Sequence, residues 1–274
     1  MSAFDIEFAA VTDIGKIREK NEDSVLISSD LGLGVVADGM GGHSAGEIAS
    51  NIAVHVLEET IRKVNIGEMK MPDTFLPKLD HTERKLLMAA NLANAAIYTT
   101  AQASEIYKMM GTTLTGVLFD GDNATAVHVG DSRIYLYRDG KLVQVTTDHS
   151  LAMEHVRRGL LTKAEADKSK IQNVLTRAMG IKKNVEFDLL RFPVKLGDIM
   201  ILCSDGLYKG LNEPQLAEQI EQGKNWPLVK LCKHLVRVSN DNDGQDNISA
   251  VMIKILPPHQ LSFKQKIRRF FGCY

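Results

Sequence analysis

The sequence has few cysteines, few aromatic residues, almost no net charge and no long apolar run. Its three cysteines form no CxxC pair, so no disulfide framework is predicted. An aromatic fraction of 6% and a net charge of -1 disfavour a nucleic-acid partner, which would need stacking surfaces and a basic field. No apolar run reaches the ~18 residues that a membrane span requires, and the acidic residues near the start are unlike a secretory signal. These absences favour a soluble, cytoplasmic protein.

Short apolar or alternating runs bounded by turn residues predict a strand-rich protein. Hairpin turns are expected at Asp139-Gly140 and at 120–123 (DGDN), which favours antiparallel sheets. The expected strands lie near 5–11, 24–28, 33–37, 112–119, 124–130, 133–138, 141–145, 186–191, 198–203 and 247–256.

Four helices with one apolar face each are predicted, and they come in two pairs. The first runs from a capping box at Ser44 to about Ile61, and the second covers about 82–103. Later, Asn212 is expected to cap a short helix and Asn225 to open another. Each apolar face is expected to pack on a sheet.

Four aspartates lie where predicted strands begin or end: Asp38, Asp131, Asp205 and Asp246. An Asp-Gly pair after a strand usually marks only a turn, as at Asp139-Gly140. Asp38-Gly39 and Asp205-Gly206 instead run into longer segments, so a two-residue hairpin does not explain them.

Glu22 and Asp23 add two further acids at a loop edge. Carboxylates that converge in one cleft repel each other unless cations neutralise them. Oxygen ligands suit Mg²⁺ or Mn²⁺, and two such ions can activate a water molecule for in-line attack on phosphorus. Arg18 is a candidate for a bidentate phosphate contact, although a solvated surface arginine is the alternative.

Eight motifs in order resemble the metal-dependent serine/threonine protein phosphatases of type 2C (the PPM family), bacterial branch. The resemblance spans about residues 5–256. The motifs are GKIREKNEDS (15–24), VVADGMGGHSAGEIAS (35–50), GTTLTG (111–116), HVGDSRIY (128–135), DHSL (148–151), NVLTRAMG (173–180), LCSDGL (202–207) and GQDNIS (244–249).

The resemblance implies an α+β fold, a four-layer α-β-β-α sandwich in which two antiparallel β-sheets are flanked by helix pairs. Residues 1–256 would form the catalytic domain, with 150–185 as the family's variable flap, which is associated with substrate choice. Residues 257–274 are expected to form a basic amphipathic tail, which docks on the protein's own surface or contacts a membrane or partner.

The resemblance also implies two Mn²⁺ or Mg²⁺ ions as cofactors. By this match Asp38 bridges both ions. Glu22 and the Gly39 carbonyl complete one metal site, and Asp205 and Asp246 complete the other.

Further roles follow from the same match. Asp23 would act through metal-bound water, Asp131 would help to hold a third, looser ion, and Arg18 would bind the phosphoryl group. Lys209 stands where some members carry an acid, which leaves the third ion open.

The general acid is a separate question. Met40 stands where many eukaryotic members have a histidine, so the leaving alkoxide must receive its proton from another group. His43 is a candidate general acid, with a packing or capping role as its alternative.

The expected function is hydrolysis of phosphoserine and phosphothreonine by metal-activated water, without a covalent phosphoenzyme. The expected partners are phosphorylated proteins and the serine/threonine kinase system that makes them. Two alternatives stay open at this point: a non-catalytic phosphopeptide-binding regulator on the same fold, and a phosphatase of small phosphoesters.

Overall fold

The computed structural model describes residues 4–41, 45–71, 78–166 and 169–258. The strands within these residues are β1 (Asp5–Asp13), β2 (Asp23–Ser28), β3 (Leu33–Met40), β4 (Gly111–Thr112), β5 (Leu114–Asp120), β6 (Asn123–Val129), β7 (Arg133–Arg138), β8 (Lys141–Gln144), β9 (Asp188–Pro193), β10 (Ile199–Cys203) and β11 (Ile248–Leu256). The helices are α1 (Ala45–Asn65), α2 (His81–Ala103), α3 (Leu151–Arg157), α4 (Lys163–Ala166), α5 (Asp205–Gly210), α6 (Glu213–Gly223) and α7 (Leu228–Asn242).

The strands form two sheets in which all the pairings are antiparallel. The first sheet has the order β1-β11-β10-β7-β8. The second has the order β2-β3-β5-β6-β9, with β4 beside β3. Helices α1 and α2 cover the second sheet, and α5, α6 and α7 cover the first. The predicted four-layer sandwich is confirmed.

The layers follow from the alternation of side chains along the strands. Val35 packs with the α1–α2 layer, whereas the next residue, Val36, packs between the two sheets. In β10, Ile201 faces the α7 layer and Leu202 faces the inter-sheet core. Successive side chains of a strand point to opposite faces, so a strand buried on both faces is apolar at consecutive positions.

The two predicted hairpins are present. Asp139 and Gly140 connect β7 to β8 with φ angles of 51° and 77°, as a type I′ turn requires. Asp120 pairs with Asn123 across the β5–β6 turn.

The helix ends differ in part from the sequence prediction. Helix α1 continues to Asn65, and its predicted cap, Ser44, lies outside the described residues. Helix α2 has a capping box that was not predicted, in which Asp80 and Glu83 each accept a hydrogen bond from the other's backbone amide (both 2.8 Å).

Near the other end of the chain, Asn212 caps α6 as predicted, since its side chain accepts a hydrogen bond from the Gln215 amide (3.0 Å). The prediction that Asn225 opens the last helix is wrong. Helix α7 begins at Leu228, with Pro227 as its N-cap residue, because proline disfavours helical backbone at the residue before it. Helix α5 was not predicted.

The segment 150–185, which was expected to be a flap, contains α3 and α4; the bridge Ser150–Leu175 closes it on itself, and the bridge Thr112–Met179 joins it to the body. Of the expected tail, residues 259–274 lie outside the described residues. Among the helices that the structure describes, none combines the length and apolar character of a membrane-spanning segment.

Candidate functional site

Most of the residues singled out in the sequence line one cleft at an edge of the sandwich, with a volume of about 920 Å³. They are Arg18, Glu22, Asp38, Gly39, Asp131, Asp205 and Asp246. Asp23 is buried beside them, where it pairs with Asp38 across the β2–β3 ladder. His43 lies outside the described residues, although Gly41 is part of the cleft wall.

Strand direction explains why acids from distant parts of the chain meet here. Strand β10 is antiparallel to both β7 and β11, so its end lies beside the starts of those two strands. Asp205 follows β10, whereas Asp131 and Asp246 precede β7 and β11. The second sheet contributes Asp38, near the end of β3, and Glu22, just before β2. The cleft therefore collects carboxylates from both sheets.

The two Asp-Gly pairs in the cleft are not tight turns. A Cβ atom on Gly39 would lie 2.1 Å from the Gly46 carbonyl oxygen, and one on Gly206 would lie 2.1 Å from the Asn247 carbonyl oxygen. Gly140 of the hairpin, in contrast, has a positive φ and open space around it. Glycine is thus required at Gly39 and Gly206 because other backbone segments pass against them.

Hydrogen bonds fix the loop that carries Arg18 and Glu22. The Asn247 side chain accepts a bond from the Glu22 amide (2.8 Å) and donates to the carbonyl oxygens of Ile14 (2.9 Å) and Lys20 (3.0 Å). All three polar contacts of this amide therefore tie the loop to the start of β11. Sequence reasoning assigned no role to Asn247; its place in the GQDNIS motif was the available signal.

A second set of bonds holds the buried acid. The Ser204 hydroxyl donates to Asp23 Oδ2 (2.7 Å) and accepts from the Ser249 amide (3.0 Å). Burial raises the pKa of Asp23 to about 7, and the charges of Asp205 and Asp246 add to the shift, although the hydrogen bonds from Ser249 and Ser204 oppose it.

The pKa values of other carboxylates in the cleft are raised for the same reasons. Burial, together with Asp205 and Asp148, raises the pKa of Asp131 to about 7. The pKa of Asp38 lies well above its ordinary value, through desolvation and then through its acidic neighbours, of which Asp23 has the largest effect. Desolvation also raises the pKa of Glu22.

Two cations partly compensate this charge. Arg18 Nη2 contacts both carboxylate oxygens of Asp246 (2.9 and 3.0 Å), and Lys209 forms an ion pair with Asp205. Desolvation still leaves the pKa of Asp205 raised. Its Oδ1 atom is buried and has no hydrogen-bond partner in the described part of the chain.

Oxygen donors that are desolvated, mutually repelling and in part unpaired fit hard divalent cations such as Mg²⁺ or Mn²⁺. Within residues 4–41, 45–71, 78–166 and 169–258, however, no three acidic, histidine or cysteine side chains form a ready-made ligand cluster.

A buried ion pair between Arg133 and Asp148 supports the floor of the site. Three hydrogen bonds of 2.7, 3.0 and 3.1 Å join the guanidinium to the carboxylate. The Arg133 guanidinium also lies 3.7 Å from the centre of the Tyr208 ring, and the Tyr208 hydroxyl donates to the Asp131 carbonyl oxygen (3.2 Å). The motifs that contain Arg133 and Asp148 were recognised in the sequence, but their contacts were not predicted.

Another wall of the cleft comes from the loop before β4 and from the segment 173–186. It includes Met109, Arg177 and Ile181. Arg177 donates to Asp188 Oδ1 (3.0 Å), whose other oxygen contacts His149 Nε2 (3.1 Å). The resemblance implied a flap at 150–185 beside the active site, but the contacts of Arg177 and the part played by Met109 were not predicted.

Comparison with known proteins identifies the relatives of this chain. The sequence profile described as "Protein phosphatase 2C" matches residues 18–252. The serine/threonine phosphatase stp of Listeria monocytogenes is 32% identical over 246 residues, which cover 89% of this chain and 93% of that protein.

Solved structures agree with this result. The Mycobacterium tuberculosis serine/threonine phosphatase PstP/Ppp superimposes with a TM-score of 0.79 at 33% identity, covering 92% of this chain and 99% of the other. The catalytic domain of PstP in complex with two manganese ions gives a TM-score of 0.76 at 32% identity, with coverage of 92% and 98%.

Proposed function

The chain belongs to the protein phosphatase 2C family, and we propose that its cleft removes phosphate from phosphoserine and phosphothreonine side chains of proteins. It is accordingly a metal-dependent hydrolase of phosphoric monoesters. The observation that carries the proposal is the convergence of Asp38 from one sheet with Asp205 and Asp246 from the other.

Two Mn²⁺ or Mg²⁺ ions fit the donor set. Asp38 would be shared by both ions, Glu22 and the Gly39 carbonyl would complete one site, and Asp205 and Asp246 would complete the other. Support comes from the desolvated carboxylates and from Asp205 Oδ1, which has no hydrogen-bond partner among the residues that the structure describes. When bound, such ions supply positive charge to phosphate oxygens and lower the pKa of a water nucleophile.

The chain's own residues would orient the substrate around that centre. Arg18 has a side chain that is 49% exposed, so its guanidinium is free to turn from Asp246 towards a phosphoryl group. Asp23, which is buried beside the cleft, would act through a water molecule, and Asp131 is the proposed ligand of a third, looser ion.

The leaving alkoxide needs a proton, and His43 is the proposed donor. His43 follows Gly41 of the cleft wall by two positions in the sequence, which supports this assignment.

The expected partners are phosphoproteins and the serine/threonine kinase whose products they are. A cytoplasmic location is part of this proposal, because ATP-dependent kinases work there. The intact set of acids argues against a non-catalytic phosphopeptide-binding regulator, which would not need it.

The test is phosphate release from a phosphothreonine peptide with Mn²⁺, with EDTA, and by the variants Asp38→Asn and Asp205→Asn. We expect activity with Mn²⁺ and a loss of at least about a hundredfold in the other three cases, because the charge that stabilises the transition state is removed. Asp139→Asn changes the hairpin Asp-Gly pair and is the matched control, which should keep its activity.

Activity that survives EDTA and both cleft substitutions would overturn the metal assignment. Folded wild-type protein without activity on any phosphoester would favour the binding regulator. A large preference for a sugar phosphate over the phosphopeptide would replace the substrate class by small phosphoesters.

A further inference from the structure

Met109 has an unusual backbone for its residue type. Its φ angle is 72°, and among the described residues the only other non-glycine with a positive φ is Asp139. Met109 follows the short 3₁₀ helix Glu105–Tyr107, and the next amide, that of Met110, donates to the Tyr107 carbonyl oxygen (3.0 Å). Glycine is the usual residue at such a position, so Met109 adopts this conformation at a cost in backbone strain.

The Met109 side chain contributes little to the core. The residue is 70% exposed, and it lines the catalytic cleft. A strained backbone that presents a large apolar side chain inside a cleft makes Met109 a candidate for contact with a molecule that enters the cleft.

Other apolar side chains line the same cleft. A Cβ atom on Gly111 would lie 2.7 Å from Met40 Cε and 3.0 Å from Ile181 Cδ1, so the ends of both side chains lie close to Gly111, two positions after Met109. Leu175 and Val185 line the same cleft. We call Met40, Met109, Leu175, Ile181 and Val185 the apolar wall.

We propose that the apolar wall binds an apolar side chain next to the phosphorylated residue of the substrate, and that Met109 is a specificity-determining residue. The inference rests on the proposed function, because the wall and the carboxylates belong to one continuous cleft. When the phosphate of a peptide substrate is bound near the cleft carboxylates, the residues next to the phosphorylated residue therefore lie within the same cleft. Methionine suits such a role, since its flexible thioether adapts to side chains of different shape.

The test compares two phosphothreonine peptides that differ only in the residues flanking the phosphothreonine, leucine in one and serine in the other. The wild type should show a kcat/KM about tenfold higher for the leucine peptide, the scale of discrimination that apolar contacts give. In Met109→Gly, which relieves the backbone strain, this ratio should fall to about threefold or less, mainly through KM.

Asp139→Gly is the matched control, because it relieves a positive φ in a hairpin outside the cleft, and it should keep the wild-type ratio. Met109→Leu should restore most of the preference. An equal ratio in the wild type and Met109→Gly, or no preference in the wild type, would overturn the inference while leaving the phosphatase activity intact. Failure of the proposed function would instead appear as no hydrolysis of either peptide.

Discussion

Replacing Asp131 by asparagine should stabilise the metal-free protein at neutral and alkaline pH. Asp131 is 7% exposed, and its pKa rises from 3.8 to about 7 in the folded chain. Between these two pKa values the folded state keeps a proton on Asp131 that the unfolded state has lost. The contribution of Asp131 to the free energy of unfolding is therefore complete below the unfolded pKa and is lost as the pH rises to about 7.

The size of this effect follows from the shift. Each pH unit between the two pKa values changes the free energy of unfolding by about 1.4 kcal/mol. Between pH 5 and pH 8 the wild type should thus lose about 2 to 3 kcal/mol relative to Asp131→Asn. Taking the difference between variant and wild type removes the opposite contribution of His128, whose buried ring has a pKa lowered to about 3.

The assay is urea unfolding in EDTA at pH 5, 6, 7 and 8, followed by far-ultraviolet circular dichroism. Fluorescence of the single tryptophan, Trp226, is less suitable because the centre of the His234 ring, a titratable group, lies 5.3 Å from the centre of the indole ring. Asp122→Asn, in an exposed hairpin turn, controls for the substitution itself. The reasoning would be refuted if the difference in free energy of unfolding between Asp131→Asn and the wild type changed by less than about 0.5 kcal/mol from pH 5 to pH 8, or if the wild type gained stability relative to the variant.

Two further predictions concern the charged neighbours of the site. Lys209→Met should tighten Mn²⁺ binding about tenfold in isothermal titration calorimetry, because Lys209 competes for Asp205; weaker binding would show that the lysine assists the site. Asp148→Ala should lower the free energy of unfolding by about 3 to 5 kcal/mol, since it leaves the buried Arg133 unpaired. The double variant Arg133→Met/Asp148→Leu should lose less free energy of unfolding than Asp148→Ala. Equal losses would contradict the explanation that an unpaired buried charge causes the destabilisation.

The strands could be predicted well from the sequence because burial on two faces requires consecutive apolar positions, as at Val35 and Val36. Hairpins were equally accessible, since the residue types of Asp139-Gly140 suit the backbone angles of the turn. Helix starts were harder. The capping residues of α2, Asp80 and Glu83, lie in a polar stretch where many residues could serve as caps.

The acids of the cleft and their grouping into two metal sites were predicted, but the contacts that hold them in place were not. Motifs named Asp38, Asp205 and Asp246, whereas nothing local in the sequence shows that Asn247 ties down the loop of Glu22 or that Arg133 stacks on Tyr208. Such contacts join segments far apart in the chain, and one sequence carries no record of them.

The carboxylates of the cleft come from both sheets, and this has a mechanical consequence. An ion held jointly by Asp38 and Asp205 would act as a clasp between the two layers, so that any shear of one sheet against the other would stretch its coordination. Packing residues of the inter-sheet core, such as Val117 and Ile253, would then govern catalytic competence without touching substrate. Heating, or a substitution that loosens the packing between the two sheets, would therefore abolish catalytic activity before the protein unfolds.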